Sequence, residues 1–392
     1  MGATEVNWRD SWELAWVEGV VPTQRLTRMK PFQRINHFPG MSEICKKDLL
    51  AKNMRRMKSL LPEHYNFFPL TYCLPDEFLK LTQYMQRQKH LSDVFIIKPH
   101  SSCQGYGIDL VKGGHKIHKY KNVVCQKYIC KPFLFDGYKF DLRLYVLVTS
   151  VSPLRVYIFE EGLVRLATIP YQKPNNSNMR VKRMHLTNYA VNRKVEEGDT
   201  FRFQSCMKSL LDLNKYLADK GISAPDLWTA IDGIIVKTLL SALPQLRHVF
   251  HATCPAPSAV SPCFKMLGFD ILLDEKLQPY LLEVNRSPSL VGSAELDRSL
   301  KTRLITNVLD MVLLTQKQIN LLNNEDHLKS VRRLTNPNAT RHLSARERIL
   351  VEYQPRHEES RMGRFRRLYP DETGRYEDIE RVICGSFNQQ RN

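Results

Sequence analysis

Two acids in the run from residue 268 to 289, GFDILLDEKLQPYLLEVNRSPS, are spaced to face each other. Residues 269–273 and 280–284 are short apolar runs around a polar loop closed by Pro279, the pattern of a β-hairpin. If Leu273 pairs with Tyr280, antiparallel pairing sets Asp270 opposite Glu283. The same register turns Phe269, Ile271 and Leu273 toward Val284, Leu282 and Tyr280, because alternate residues of a strand share a face. Asn285, two positions past Glu283, falls on the acidic side. Two carboxylates and an amide oxygen make a hard-oxygen set that suits Mg²⁺ and therefore phosphate chemistry. Without a cation the facing carboxylates would repel. Asp270, Glu283 and Asn285 are thus the candidate metal ligands.

Further segments supply complementary groups. In FIIKPHSSCQGYGI, residues 95–108, a strand runs into a small-residue loop and a second strand. Gly105 and Gly107 allow backbone N–H groups to approach phosphate oxygens, and Lys98 adds a point charge. A lone GxG is equally the mark of a tight hairpin, and the segment is neither a GxxxxGK[ST] loop nor a GxGxxG loop. In KFDLRLYVLV, residues 139–148, Lys139, Asp141 and Arg143 share one strand face while Phe140, Leu142 and Leu144 share the other. A solvated edge strand would read the same way, but the continuous apolar run 144–148 favours an interior strand beside a cleft. HLTNYAVN, residues 185–192, offers Thr187 and Asn188; alone it is a capped turn. Arg165 sits in a strand pattern just upstream and is a candidate carboxylate clamp. Acids on a hairpin, a glycine loop with a lysine and a basic strand together describe an ATP-phosphate site of the kind that activates a carboxylate.

The elements that must hold these groups change character along the chain. Helical patterns start at Ser42 and run to about Met57, and again after Leu74-Pro75 with Asp76 as the cap. Strand patterns follow at 94–98, 108–111, 123–129, 139–149 and 155–159, with 172–180 as a mobile loop. Helices are expected at 206–220, 226–241 and 294–322. The last 70 or so residues are polar, arginine-rich and poor in apolar contacts, which reads as a helical or partly disordered appendage. His248, His251, Cys254 and Cys263 flank a Pro/Ser/Ala-rich stretch with no CxxC pair, a weak case for zinc.

Composition sets outer limits. The 392 residues are 43% hydrophobic and 25% charged, ordinary for a folded protein of two or three lobes. The 58 Lys+Arg against 40 Asp+Glu give +18, which calls for an acidic partner. No signal-peptide pattern and no run of about 18 apolar residues is visible. The nine scattered cysteines fit a reducing compartment.

The motifs already quoted, with PFQRINHFPGMSEICKKDLLAKN from Pro31 onward, VCQKYICKPFLFDGYKFDLRLYVLV and EGLVRLAT, resemble the tubulin–tyrosine-ligase-like family of ATP-grasp amino-acid ligases, in particular its tubulin polyglutamylases. The resemblance implies an α/β (α+β) ATP-grasp fold, with a short N-terminal lobe over 1–75, a central lobe over 76–130, a C-terminal lobe over 131–320 and a basic extension over 321–392. It implies phosphate contacts from Lys98, Gln104 and Gly105, and adenine contacts from the backbone of Gln126, Lys127, Tyr128 and Ile129. Lys139, Asp141, Thr187 and Asn188 would lie along the nucleotide, with ATP and Mg²⁺ as cofactors. Arg165, Tyr189 and Lys194 would hold free L-glutamate, Arg286 would stand near the acceptor, and Arg143 would stabilise the intermediate beside Glu283. The implied reaction passes γ-phosphoryl from ATP to a glutamate side chain in the acidic tail of tubulin, and the amine of free glutamate then attacks the acyl phosphate.

The same resemblance implies a monomer at the cytoplasmic cytoskeleton, at a cilium or basal body, with no membrane or nucleic-acid partner. A glycylase is one rival, disfavoured by the basic residues Arg165 and Lys194. A microtubule binder without turnover is another, disfavoured because the metal set and Lys98 are all present. Arg361, Arg364, Arg366 and Arg367 are expected either to dock the microtubule or to form a solvated basic face.

Overall fold

The computed structural model describes residues 4–8, 10–87, 92–100, 105–113, 120–192, 206–254, 260–292, 294–335 and 345–389. Near the N-terminus β1 (Leu14–Ala15) pairs in parallel with β2 (Arg34–Ile35). A four-stranded antiparallel sheet follows, made of β3 (Thr71–Leu74), β4 (Val94–Pro99), β5 (Asp109–Lys112) and β6 (Val123–Lys127) in the order β3-β6-β4-β5. One face packs Phe95, Ile97 and Cys125 under Leu81 and Met85 of the Phe78–Gln86 helix.

The large sheet is built from β7 (Leu134–Phe135), β8 (Tyr138–Val151), β9 (Leu154–Leu166), β10 (Met207–Ser209), β11 (Lys265–Leu273), β12 (Pro279–Asn285) and β13 (Phe365–Tyr369). Its main order is β10-β9-β8-β11-β12, with β13 added along β9 and β7 along β8. β8 is therefore interior, as the apolar run 144–148 requires: Val146 and Val148 face one core, Tyr145 and Leu147 the other. The first core is closed by the helix Pro225–Thr253, begun by Pro225 and apolar enough all round to be enclosed. This helix is long and apolar enough to cross a bilayer, but 72% of its most apolar 18 residues are buried inside the protein. The second core is closed by Leu300, Leu304, Val308 and Met311 of the helix Glu295–Val312.

Several boundaries differ from the sequence reading. The helix expected from Ser42 is two, Ser42–Cys45 and Lys47–Leu60, because Lys46 is extended between them. Asp76 is not the cap: the helix starts at Phe78, and Asp76 pairs with Lys52 on the surface. The expected helix 206–220 starts as β10 and becomes helical at Leu210, where Ser209 and Asp212 form a capping box. The long helix expected over 294–322 stops at Val312 and restarts at Gln316. The loop at 172–180 is pinned by Asn175 and Asn178, whose side-chain oxygens accept backbone N–H groups.

The largest difference lies at the C-terminus. β13 joins the sheet, and Glu358 is fully buried, accepting from Arg155 (2.8 and 3.0 Å), Thr149 (2.8 Å) and Tyr157 (2.9 Å). Leu350, Phe365, Leu368, Ile379 and Ile383 are buried as well. Few apolar residues, spread over short elements between polar stretches, resembled a tail, although the Glu377–Gln389 helix carries a clear apolar face with Ile379 and Ile383. Three of the four arginines named above are matched within the chain: Arg366 forks onto Asp232 (2.7 and 2.8 Å), Arg364 meets Glu161 at 2.6 Å and Arg367 pairs with Glu359 and Glu372.

Candidate active site

Three antiparallel registers assemble a row of charges across four strands. Arg165 of β9 stands beside Asp141 of β8, Arg143 of β8 beside Asp270 of β11, and Asp270 beside Glu283 of β12. Arg165 forks onto Asp141 at 2.7 and 2.5 Å and reaches Asp270 at 2.8 Å. Arg143 forks onto Asp270 at 2.6 and 3.0 Å. Burial alone would raise the Asp270 carboxyl, but Arg143 and Arg165 hold it well below the carboxylate range. Bidentate pairs of this type fix orientation as well as charge.

Asp270 and Glu283 are cross-strand neighbours and Phe269 meets Val284, as the hairpin reading requires. Beyond Asp270 the expected register fails: Ile271 meets Leu281, and Leu273 meets Pro279. Leu282 is the extra residue of a bulge. The bulge breaks the alternation, so Leu281 enters the core while Leu282 and Glu283 both line the cleft.

The opposite wall is the four-stranded sheet. Lys98 donates to Gln126 at 2.8 Å, and Gln126 in turn donates to Thr71 at 3.0 Å. Lys139 donates to Tyr128 Oη at 2.9 Å and to the His185 carbonyl at 2.7 Å. Burial lowers the Lys98 ammonium to about 8, and burial lowers Lys139 to about 7. His185, buried beside Lys139, is lowered to about 4 and is neutral, its ring spanning Tyr128 Oη and the Asn178 carbonyl.

Between the walls lie two connected chambers that share Lys98, Ile108, Asn188 and Glu283. The first is lined by Gln126, Lys127, Tyr128, Ile129, Lys139, Asp141 and Thr187, with Ile96, Leu272 and Leu282 as apolar surfaces. The second, about 750 Å³, is lined by Gly105, Arg143, Arg165, Tyr189 and Asn285. Gly105 has φ +80°, and a Cβ there would lie 2.6 Å from a methyl of Val191, so only glycine fits. Gln104 and Lys194 lie outside the described residues. Arg286 follows Asn285 in the loop after β12 but does not line either chamber.

Arg165 does not offer the open fork expected of an amino-acid clamp, because its guanidinium is buried between Asp141 and Asp270. Arg143 uses Nε and one terminal nitrogen on Asp270, which leaves its other terminal nitrogen for a ligand. Among the described residues no group of three His, Cys, Asp or Glu side chains could hold a metal, so the zinc reading fails, although Cys254 and Cys263 approach each other at 3.8 Å. The sequence reading missed Lys47, 3.6 Å from Glu283, and Tyr145, Leu163, Met207, Asp297 and Lys301, which also line the second chamber. Asp297 and Lys301 had a visible signal, an i,i+4 pair on a helix.

A sequence profile described as the Tubulin-tyrosine ligase family matches residues 25–320. The chain belongs to the tubulin-tyrosine ligase family. Its mixed α/β architecture, with a cleft between two antiparallel sheets, agrees with the ATP-grasp-like fold expected for this family. It is 41% identical over 381 residues to "Tubulin polyglutamylase ttll6" of Danio rerio, covering 95% of this chain and 48% of that protein. It is 44% identical over 311 residues to "Tubulin polyglutamylase TTLL6" of Mus musculus, covering 79% and 38%. With "Tubulin polyglutamylase TTLL7" of Mus musculus it shares 37% over 409 residues, covering 95% and 45%. This member of the tubulin-tyrosine ligase family thus spans less than half the length of these relatives.

Proposed function

We propose that the chain is the ligase of an ATP-dependent tubulin polyglutamylase, which joins free L-glutamate to glutamate side chains in the acidic tails of tubulin. The observation that carries this reading is the junction of the two chambers, where Lys98 and Glu283 stand together between the chamber lined by Tyr128, Lys139 and Asp141 and the larger one of about 750 Å³. The polyglutamylase names of the relatives and the +18 charge support the acidic acceptor. With microtubules as substrate the reading extends to the cytoplasmic cytoskeleton, including cilia and basal bodies.

In this reading the first chamber takes adenosine against Tyr128 and Ile129, and Lys139, Lys98 and Gly105 follow the phosphates toward the junction. Glu283, Asn285 and Asp270 would hold Mg²⁺. They fit it: the donors are all oxygens, Asn285 turns its amide nitrogen to the Gly268 carbonyl and Glu283, and three hydrogen bonds leave one acceptor position on Asp270. Bound there, the ion would neutralise phosphate charge. Arg165 helps keep Asp270 ionised and holds Asp141 in place. Arg143 directs its remaining N–H groups at oxygens that gain charge as the carboxylate is activated and attacked, a stabilisation available only from prepositioned donors. Tyr189 and Lys194 are left to orient the incoming amino acid, and Arg286 to meet the acceptor.

The deciding assay supplies the protein with Mg-ATP, microtubules and labelled glutamate or glycine. Label from glutamate is expected; label from glycine alone would overturn the reading in favour of a glycylase.

Lys139 gives a second expectation. In the free protein its ammonium is lowered to about 7, whereas a bound phosphate favours the charged form. Nucleotide binding should therefore take up a proton above pH 7, and affinity should fall by up to about tenfold per pH unit as pH rises past that point. Titrations between pH 6.5 and 8.5 on the wild type and on Lys139→Met check this, since the variant should lose that part of the slope.

A further inference from the structure

A separate cavity of about 300 Å³ lies outside the cleft, where residues 63–67, the first turns of the Pro225–Thr253 helix, the hairpin turn at 278–279 and residues 375–379 meet. Its floor is apolar, with Phe67, Ile234 and Ile379 buried. Gly233 lies on the floor within reach of both Tyr376 Oη and Lys237 Nζ, which stand 3.7 and 3.9 Å from where its Cβ would be.

Two cations line this cavity, the half-buried Lys237 and the exposed Arg375, and the Arg375 charge adds to the burial that lowers the Lys237 ammonium. Neither has an ion-pair partner among the described residues. Their neighbours do: Arg247 meets Glu380, Arg366 forks onto Asp232 and Arg381 pairs with Asp378. Asp232, the acid nearest Lys237 on its own helix, is thus already engaged, and Glu63 stands exposed on the rim. Two like charges drawn together over an apolar floor are unfavourable alone and become favourable when a carboxylate lies between them.

We infer that this cavity is a second docking point for an acidic polypeptide, taking one glutamate or aspartate carboxylate between Lys237 and Arg375 with the methylene stem of that residue on Phe67 and Ile379. The apolar floor suits a side-chain stem better than a free inorganic anion, which would need hydrogen-bond donors on all sides. The cavity also touches Pro279, the first residue of β12, and Glu283 lies four residues along that strand. Four steps of an extended strand span at most about 13 Å, and the bulge at Leu282 shortens this stretch. A chain with several carboxylates can therefore hold one here while presenting another at the cleft, and each event raises the local concentration for the other. The identity of the partner as an acidic tail rests on the proposed ligase reading; the carboxylate site does not.

The test is binding rather than turnover. A dye-labelled glutamate-rich peptide is titrated by fluorescence anisotropy onto the protein saturated with a non-hydrolysable ATP analogue. The double variant Lys237→Met/Arg375→Met should bind at least about tenfold more weakly, the size expected when charge-assisted hydrogen bonds are removed. Arg381→Met, which removes an exposed charge from the neighbouring Glu377–Gln389 helix, should bind as the wild type does. Equal losses in the control would reduce the effect to net charge, and unchanged binding in the double variant would remove the site; either result overturns the inference. Inorganic phosphate should displace the peptide only at far higher concentration, and displacement at equal concentration would make this a small-anion site and overturn the polypeptide assignment. Loss of labelled-glutamate incorporation with intact peptide binding would count against the ligase reading alone.

Discussion

Changing Glu358 to alanine is expected to lower the free energy of unfolding by about 3–5 kcal/mol, the usual cost of removing one member of a buried ion pair. Its side chain is 0% exposed and that of Arg155 is 8% exposed, so water cannot replace the lost partner. Thr149, Tyr157 and Gln354 lose an acceptor at the same time. Burial alone would raise the Glu358 carboxyl, yet Arg155, the Thr149 hydroxyl and the Gln354 amide hold it below its ordinary value. Its contribution is therefore present above the unfolded-state value and is lost as pH falls through the folded one. Urea midpoints at neutral pH, with an unchanged slope, measure the effect. Cutting the chain after Leu322 should be worse, because it removes Glu358 together with β13, the strand that pairs with residues 156–159 of β9. A truncated chain that unfolds at the wild-type midpoint would show that the C-terminal segment is an appendage after all.

That segment also marks the limit of what could be read in the sequence. Period two placed Lys139, Asp141 and Arg143 on one face because a single strand decides it, and the structure keeps Phe140, Leu142 and Leu144 in the core behind them. The opposition of Asp270 and Glu283 was read correctly from the alternation, although the turn pairs Leu273 with Pro279 and not with Tyr280, and the bulge restores the expected register at Asp270. The bulge at Leu282 was not legible, since an extra residue leaves no mark in an all-apolar run. Nor was the engagement of Arg165, which depends on β8, β9 and β11 being neighbours across gaps of 24 and 105 residues. Pairing at such separations is decided by the packed sheet, not by any local pattern. Glu358 meets Arg155 across 203 residues for the same reason, and a glutamate followed by Glu359 in a basic stretch gives no hint of burial.

Replacing Glu283 by glutamine should separate chemistry from folding. Of the two facing acids, Asp270 is locked by two arginines, whereas Glu283 has a 22% exposed side chain and pairs at a longer 3.6 Å with Lys47. Its charge is thus less tightly matched within the protein, and it stands where both chambers meet. Glutamine keeps the volume and an oxygen acceptor, so the unfolding midpoint should move by less than the equivalent of about 1 kcal/mol, as for a partly exposed ion pair. The lost charge should matter far more to transfer, because a ligand set with two carboxylates would retain one and phosphate charge would go less well neutralised. Incorporation of labelled glutamate should fall by at least about 10²–10³-fold, the scale on which loss of a preorganised electrostatic contact acts. Asp270→Asn should instead destabilise the protein as well, because Arg143 and Arg165 would then lie buried with too little negative charge between them. If Glu283→Gln retains more than about a tenth of the activity, the catalytic carboxylate lies elsewhere in the cleft, since no smaller loss is compatible with a metal held at this position.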